Sequence, residues 1–138
     1  MPLHLIKLSV GTEDVADLRR WQRLRRKERG FSAFYTRNTP RRAEELLDGG
    51  SIYWVIKGYV RVRQRLKEFT STVDDDGQPL CVVRYAMQLV PTVLVPRRPF
   101  QGWRYLEARD APPDWKQAKG SVELPPKMVE ELRSLGLL

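Results

Sequence analysis

Cysteine and histidine are nearly missing from this sequence: Cys81 and His4 are the only residues of their kinds in 138. A single cysteine cannot form a disulfide within the chain, and Cys81 lies in an apolar run, which favours core packing over catalysis. A single histidine excludes a metal site built from several histidines and a Ser-His triad, unless two chains pool their residues. We therefore predict no metal site and no cofactor.

Long apolar segments and cofactor fingerprints are missing as well. No apolar run approaches the roughly 20 residues of a membrane-spanning helix, and no apolar signal-peptide core follows a basic start. The residue spacing matches no zinc motif, P-loop or dinucleotide fingerprint. We expect a cytoplasmic protein that has no membrane partner, and the sequence names no reaction.

Positive charge is abundant and unevenly distributed. The chain has 25 Lys and Arg against 17 Asp and Glu, a net charge of +8. Residues 1–105 hold 20 bases and 11 acids, whereas residues 106–138 hold five and six. A basic body with a near-neutral end is typical of proteins that bind nucleic acid or another polyanion. The alternative is a charged surface that only keeps the protein in solution.

The segment YVRVRQRLK, from Tyr59 to Lys67, is the most informative. Side chains alternate between the two faces of a strand. One face would carry Tyr59, Arg61, Arg63, Arg65 and Lys67, and the other Val60, Val62, Gln64 and Leu66. A row of cations on one face costs stability unless acids or a polyanion neutralise it, so the pattern indicates an anionic partner.

A second basic surface is predicted on a helix from Thr12 to Arg29, which Gly30 ends. At 100° per residue, one half of this helix carries Val15, Leu18, Trp21 and Leu24. An arc of about 120° on the other side carries Arg19, Arg20, Arg23, Arg26 and Lys27.

The rest of the chain predicts a single α+β domain over residues 1–138. Further strands are predicted at Leu3–Val10, Phe31–Arg37, Ser51–Lys57 and Leu80–Val90, a short helix from Pro40 with Thr39 as its N-cap, and a hairpin turn at Asp74–Gly77. Residues 107–124 should be mostly loop, and residues 125–135 a C-terminal helix. We expect a mostly antiparallel, curled sheet or small barrel with about three flanking helices.

Aromatic and amide side chains near these basic segments are candidates for holding a base. Trp54 or Trp103 would stack on it, while Gln101 and Arg104, in the segment RRPFQGWRYL, would line a pocket. The alternative is structural: the tryptophans belong to the core, and the arginines pair with Glu44, Glu45 or the Asp74–Asp76 cluster. For RRPFQGWRYL the structural interpretation, a corner that closes one end of the sheet, is favoured.

Three strings, LHLIKLSVG, TRNTPRRAEELLDGGSIYWVIKG and FQGWRYLEARDAPPD, resemble a family of uncharacterised alphaproteobacterial proteins, classed as a domain of unknown function. The resemblance covers nearly the whole chain and implies a single-domain protein in the bacterial cytoplasm, but no functional residues. The order of helix, glycine turn and strand pair also resembles the PUA-like group with its ASCH and EVE domains, which implies a small barrel that binds RNA or modified nucleobases. The ASCH signature GxKxxExR is absent.

These patterns favour a non-enzymatic nucleic-acid-binding protein, with RNA the preferred ligand. The arginines and lysines of the two basic segments would hold phosphates. The alternative is a protein-interaction or ribosome-associated accessory factor whose basic face meets an acidic partner. A third possibility is an enzyme that acts on RNA or on a nucleotide.

Overall fold

The computed structural model describes residues 2–118 and 124–138, which form seven strands and three α-helices. In chain order these are β1 (His4–Leu8), α1 (Val15–Arg29), β2 (Ala33–Thr36), α2 (Ala43–Leu47), β3 (Ser51–Ile56), β4 (Tyr59–Val73), β5 (Pro79–Tyr85), β6 (Val90–Pro96), β7 (Trp103–Leu106) and α3 (Pro126–Ser134). The predicted α+β class, with a curled and mostly antiparallel sheet and three helices, is confirmed.

The sheet has the strand order β2-β5-β4-β3-β1-β7, and only β1 and β3 pair in parallel. Strand β4 is 15 residues long. Its first part pairs with β6, and the rest of the same edge pairs with β5. The two end strands approach each other, because the indole nitrogen of Trp103 in β7 donates to the hydroxyl of Thr36 in β2 at 3.2 Å. The sheet is therefore curled into a half-barrel.

The two faces of this sheet are covered differently. On the helix-covered face, strand residues such as Leu5, Ile52 and Val62 pack against apolar residues of the three helices. These helical residues are Val15, Leu18, Leu46, Met128 and Leu132. On the loop-covered face, Ile6, Tyr53, Val55 and Val60 pack against Phe100, Leu106 and Ala111 from the chain after β6.

Strand β4 does not alternate regularly. Val60, Val62 and Leu66 are buried as predicted, but Trp54 pairs with Val62 whereas Val55 pairs with Val60. Arg61 is the extra residue of a β-bulge, so Val60 and Val62 lie in different hydrophobic clusters. The prediction that Val60 and Val62 lie on the same face of the strand is therefore wrong. A second shift between Leu66 and Glu68 helps this long strand to follow the curl of the sheet.

Helix α1 is rotated from its predicted orientation. Its buried residues are Val15, Leu18 and Gln22, whereas Trp21 and Leu24 are 49% and 51% exposed. The predicted apolar set advances by three residues at each step and so drifts by about 60° around the helix each time. The full set cannot share one stripe, and burying Gln22 instead keeps the buried arc narrow.

Several boundaries also differ from prediction. Helix α1 begins at Val15, because Asp14 caps it by accepting from the backbone N–H of Asp17 at 2.8 Å. Helix α2 begins at Ala43, and Thr39 is not its N-cap. The predicted strand Leu80–Val90 is interrupted between β5 and β6, and β7 was not predicted as a strand.

Two tight turns connect neighbouring strands of the sheet. The φ angles of Lys57 and Gly58 are 50° and 81°, so these residues form a tight left-handed turn between β3 and β4. The predicted hairpin tip also forms, with the N–H of Asp74 donating to the Gln78 carbonyl at 2.9 Å. Residues 108–118 contain only a short 3-10 turn and one bridge, from Asp114 to Thr92, while residues 119–123 of the predicted loop lie outside the described residues.

Candidate nucleic-acid interface

Five of the seven basic residues of α1 lie in the predicted arc along one side of the helix, whereas Arg25 and Arg29 lie outside it. Arg20, Arg23 and Lys27 are exposed, and Arg19 and Arg26 are half-buried at its margin. Ala16 is the only other residue in this arc, so the arc contains no acid of its own. Arg20 nevertheless reaches back to form an ion pair with Asp17. The face defined by these five basic residues is called the α1 cationic face below.

A groove of about 390 Å³ lies along one margin of the α1 cationic face. Its lining includes Arg19, Arg23 and Arg26 from α1, together with Met87, Gln88 and Leu89 from the β5–β6 connection and the C-terminal residues Leu135, Gly136 and Leu137. Arg19 donates to the carbonyl of Leu135 at 2.6 Å, which anchors the C-terminus beside the helix. The described lining contains cations and no acid, so the groove suits an anion.

Part of this basicity also stabilises the helix. Arg26, Lys27 and Arg29 lie in the last turn of α1, where the partial negative charge of the helix dipole favours cations. Asp17 lies in the first turn, where an acid is favoured. Stabilisation of the helix dipole therefore accounts for the charges in the first and last turns of α1. It does not account for the absence of acids from the α1 cationic face.

The basic residues of β4 lie in different surroundings. Arg63 makes a two-pronged ion pair with Asp114, at 2.7 Å from Nε and 2.8 Å from Nη2, and its Nη1 donates to the Ser51 hydroxyl at 3.0 Å. Arg61 donates from Nε to the carbonyl of Ile56 at 2.8 Å. Arg65 and Lys67 are exposed. The cationic row is therefore partly neutralised from within the protein.

A buried polar cluster surrounds Arg63 on the loop-covered face. The backbone N–H of Ser51 donates to Nδ1 of His4 at 2.9 Å, and the His4 ring contacts the Tyr53 ring edge-on, with centroids 5.0 Å apart. Burial, with a smaller contribution from the Arg63 charge, lowers the pKa of His4 to about 4. Burial also raises the pKa of Tyr53. At neutral pH both rings are uncharged, and Arg63 has Asp114 as its counter-ion.

The two basic segments lie on opposite sides of the sheet. Gln22 of α1 and Gln64 of β4 exchange two amide hydrogen bonds of 2.8 Å, so α1 covers the face to which Gln64 points. Arg63 and Arg65 flank Gln64 in sequence and point to the other face. The α1 cationic face and the β4 row therefore do not form one continuous surface.

Trp54 is part of the packed interior, with an exposed fraction of 5%. Its indole N–H donates to Oε1 of Gln64 at 2.8 Å, and its ring contacts Phe34 and Tyr85 edge-on. Gln64 also donates to the carbonyl of Ala86 at 3.0 Å. This amide network joins α1, β3 and β4, and a base would reach Trp54 only through the cavity that opens between α1 and the sheet.

Gln101, Trp103 and Arg104 lie together where the ends of the half-barrel meet. They line a groove of about 450 Å³ with Thr36, Asn38, Thr39, Arg41, Gly102 and Tyr105. Trp103 is hydrogen-bonded to Thr36 and contacts the Tyr105 ring edge-on at 5.1 Å. Trp103 therefore joins the two end strands and also forms one wall of this groove.

The acids named as alternative partners do not neutralise the predicted basic patch. Asp74 forms an ion pair with Arg37 at 2.5 Å, and Glu45 forms one with Arg42. Arg63 pairs instead with Asp114, which the bridge to Thr92 holds against the sheet. Sequence spacing does not identify this pair, because 51 residues separate the two partners.

Sequence reasoning also missed Trp21, which it assigned to the buried side of α1. The ring is half exposed and lies 5.7 Å from the guanidinium carbon of Arg25. Placing Gln22 on the buried side of α1 would have predicted the exposure of Trp21, but a buried Gln22 is favourable only because Gln64 is its hydrogen-bond partner.

Among the described residues, no group of three or more His, Cys, Asp or Glu is placed to hold a metal ion. No helix in the described ranges has the length and apolarity needed to cross a bilayer.

Comparison with known proteins identifies a family. A family model described as "Protein of unknown function (DUF1489)" matches residues 5–138. No curated protein and no solved structure matches the chain. The predicted resemblance to a domain-of-unknown-function family is confirmed, while the alphaproteobacterial origin and the PUA-like resemblance stay predictions.

Proposed function

The chain belongs to the DUF1489 family of proteins of unknown function, and from its own residues we propose that it is a non-enzymatic RNA-binding protein of the bacterial cytoplasm. The observation that carries this proposal is the α1 cationic face, whose arc contains five basic residues and no acid. Phosphate oxygens would be held by Arg23, Arg26 and Lys27, with Arg19 and Arg20 at the margins. Arginine and lysine side chains are the usual donors to phosphate.

The groove beside this face supports a bound strand rather than scattered surface charge. Arg19, Arg23 and Arg26 follow one another at four and then three residues, so they form one wall about two turns long. Gln88 on the opposite side adds an amide that can accept or donate a hydrogen bond. An extended polyanion has the shape to follow such a wall.

The exposed aromatic side of α1 supports single-stranded RNA as the ligand. Trp21 is 49% exposed, and its ring is next to Arg25 on the flank of the helix opposite Arg19 and Arg26. Unpaired bases stack on such rings, whereas the bases of a duplex are not available for stacking. The β4 row contributes less to this proposal, because Arg63 already has Asp114 as its counter-ion.

The test is the salt dependence of RNA affinity. The double variant Arg23→Ala/Lys27→Ala removes two phosphate contacts, and the slope of log affinity against log salt should decrease by roughly 1.4, at about 0.7 per contact with a single strand. Fluorescence anisotropy on a short labelled single-stranded RNA measures this slope.

A matched control on the other side of the sheet removes the same charge. Arg65 and Lys67 are exposed, and Arg65→Ala/Lys67→Ala should leave the slope unchanged. A slope that decreases for the β4 pair and not for the α1 pair would move the interface to the strand. If the unaltered protein shows no salt-sensitive binding to RNA or DNA at low ionic strength, nucleic-acid binding is refuted and an acidic protein partner becomes the leading function.

A further inference from the structure

A cavity of about 290 Å³ opens between α1, the end of β1 and the start of β2, on the flank of α1 opposite the groove described above. Its inner part is formed by buried residues, among them Leu18, Trp54 and Tyr85, and its mouth by the exposed residues Val10, Trp21 and Arg25. The volume is near the lower end of the range for small-molecule sites, about 300 to 1,000 Å³.

Four of the residues that line this cavity are aromatic. Trp21, Phe34, Trp54 and Tyr85 all line it. The rings of Phe34 and Tyr85 meet the Trp54 ring edge-on, with centroids 6.4 and 5.8 Å away. Burial raises the pKa of Tyr85 to about 12, so its phenol stays protonated at neutral pH. A cavity with several aromatic walls suits a flat, aromatic ligand.

The charges of the cavity have one sign. Lys7 and Arg25 line it, and none of the described residues of the lining is acidic. The Lys7 ammonium is half-buried, forms no salt bridge with a carboxylate of the described residues, and lies 5.5 Å from the centre of the Phe34 ring. Burial lowers the pKa of Lys7. A half-buried cation without a counter-ion attracts an anion from solution.

One buried polar group in the lining has no partner. Ser32 is 5% exposed, and its hydroxyl makes no hydrogen bond within the described part of the protein. Buried hydroxyls nearly always have a partner, and leaving one without costs about 1–3 kcal/mol. A ligand with a polar ring atom would supply the missing partner.

We propose that this cavity binds a small planar heteroaromatic ligand that carries an anionic group. The ring lies against Phe34 and Trp54, a ring nitrogen or oxygen meets the Ser32 hydroxyl, and Lys7 and Arg25 neutralise the anion. The anion is either a phosphate, as in a mononucleotide, or a carboxylate. The cavity contains none of the five residues of the α1 cationic face, but Trp21 at its mouth is also the ring proposed above to stack on RNA bases. The Lys7 variant described below separates the two proposals, because Lys7 is not part of the proposed RNA site.

Isothermal titration calorimetry on the full chain tests the site with three probes. Adenosine monophosphate and quinaldate supply a heteroaromatic ring with a phosphate or a carboxylate, and adenosine supplies an uncharged ring. The anion that binds more tightly identifies the anionic group. Failure of both anions to bind at millimolar concentration, or an affinity for uncharged adenosine that equals the affinity for the tighter-binding anion, would overturn the proposal.

Substitution of Lys7 locates the binding. Lys7→Met keeps the length of the side chain and should weaken the bound anion roughly tenfold or more, because a charge-assisted contact is lost. Lys67 is exposed and does not line the cavity, so Lys67→Met should leave the affinity unchanged. Equal affinities of the Lys7→Met and unaltered proteins would place the ligand outside this cavity. If Lys7→Met does not fold, Arg25→Gln at the exposed mouth gives the same test.

Discussion

The α1 cationic face and the basic half of β4 are similar in composition but not in surroundings. On α1, Arg23 and Lys27 extend into solvent from a helix whose opposite side is buried. On β4, Arg63 is half-buried, and Asp114 and Ser51 occupy all three of its guanidinium nitrogens. Two runs of basic residues that look alike in the sequence therefore differ in their availability to a ligand.

Substitutions in these two basic segments should therefore affect different properties, the stability of the fold in one and ligand affinity in the other. A charge that is buried and paired is expensive to leave unpaired, whereas an exposed charge contributes little to folding. Changes around Arg63 should therefore lower the free energy of unfolding and leave ligand affinity nearly unchanged. Changes on the α1 cationic face should lower ligand affinity and leave the free energy of unfolding nearly unchanged.

The largest expected effect is the loss of the partner of Arg63. Asp114→Ala leaves a half-buried guanidinium without its counter-ion, and the free energy of unfolding should fall by about 3 kcal/mol, near the lower end for a buried pair. Urea-induced unfolding followed by tryptophan fluorescence measures this loss.

The control for this variant lies in the same loop. Asp110 approaches Arg109 at 3.8 Å, and both side chains are mostly exposed. Asp110→Ala should therefore change stability by less than about 0.5 kcal/mol. Equal effects of the two variants would show that the Arg63 pair is not special and would remove the distinction between the two basic segments.

A smaller effect is expected from acid, through His4. Its pKa is lowered from 6.5 to about 4, so at pH 5 the unfolded chain binds a proton that the folded protein does not. Stability is then lost as the pH falls from about 6.5 towards 4, by about 2 kcal/mol between pH 7 and pH 5.

The variant His4→Asn should remove most of this pH dependence. The asparagine oxygen can replace Nδ1 as acceptor for the N–H of Ser51, but it does not titrate. Unfolding free energies of both proteins, measured at several pH values between 5 and 7, provide the comparison. Identical pH profiles would mean that His4 is not held neutral by its surroundings.

The smallest effect on stability is expected on the α1 cationic face. Arg23→Ala/Lys27→Ala removes two exposed side chains and adds two good helix formers, so the free energy of unfolding should change by less than about 0.5 kcal/mol. The same urea titration measures it. A loss of 2 kcal/mol or more would show that these residues are structural, and the salt dependence of RNA binding could then no longer be assigned to direct contacts.

The local pattern of the sequence predicted most elements of the fold. β-Branched and aromatic residues identified β3, the alternating side chains of Tyr59–Lys67 identified the first part of β4, and Gly30 marked the end of α1. These signals are local, since strand alternation and helix termination depend on neighbouring residues. The five cations of the α1 cationic face were also identified, because a 120° arc is a property of the helix alone.

The two bulges of β4 and the rotation of α1 were not predictable in this way. A bulge at Arg61 depends on the pairing of β4 with β3, which moves Val60 to the face opposite Val62. The burial of Gln22 depends on Gln64, 42 residues away, whose amide completes its hydrogen bonds. A sequence pattern assigns a glutamine to the exposed side of a helix, because burial of an amide is unfavourable unless a buried partner completes its hydrogen bonds.

The sequence by itself determined the charge, the strand and helix segments, and the absence of several histidines or cysteines from any site. Tertiary structure alone decided which cations are available. Asp114 reaches Arg63 because the chain after β6 returns across the sheet, and the aromatic cavity forms because α1, β1 and β2 meet there. Local propensity depends on neighbouring residues, whereas neutralisation of a charge and closure of a cavity depend on residues that folding brings together.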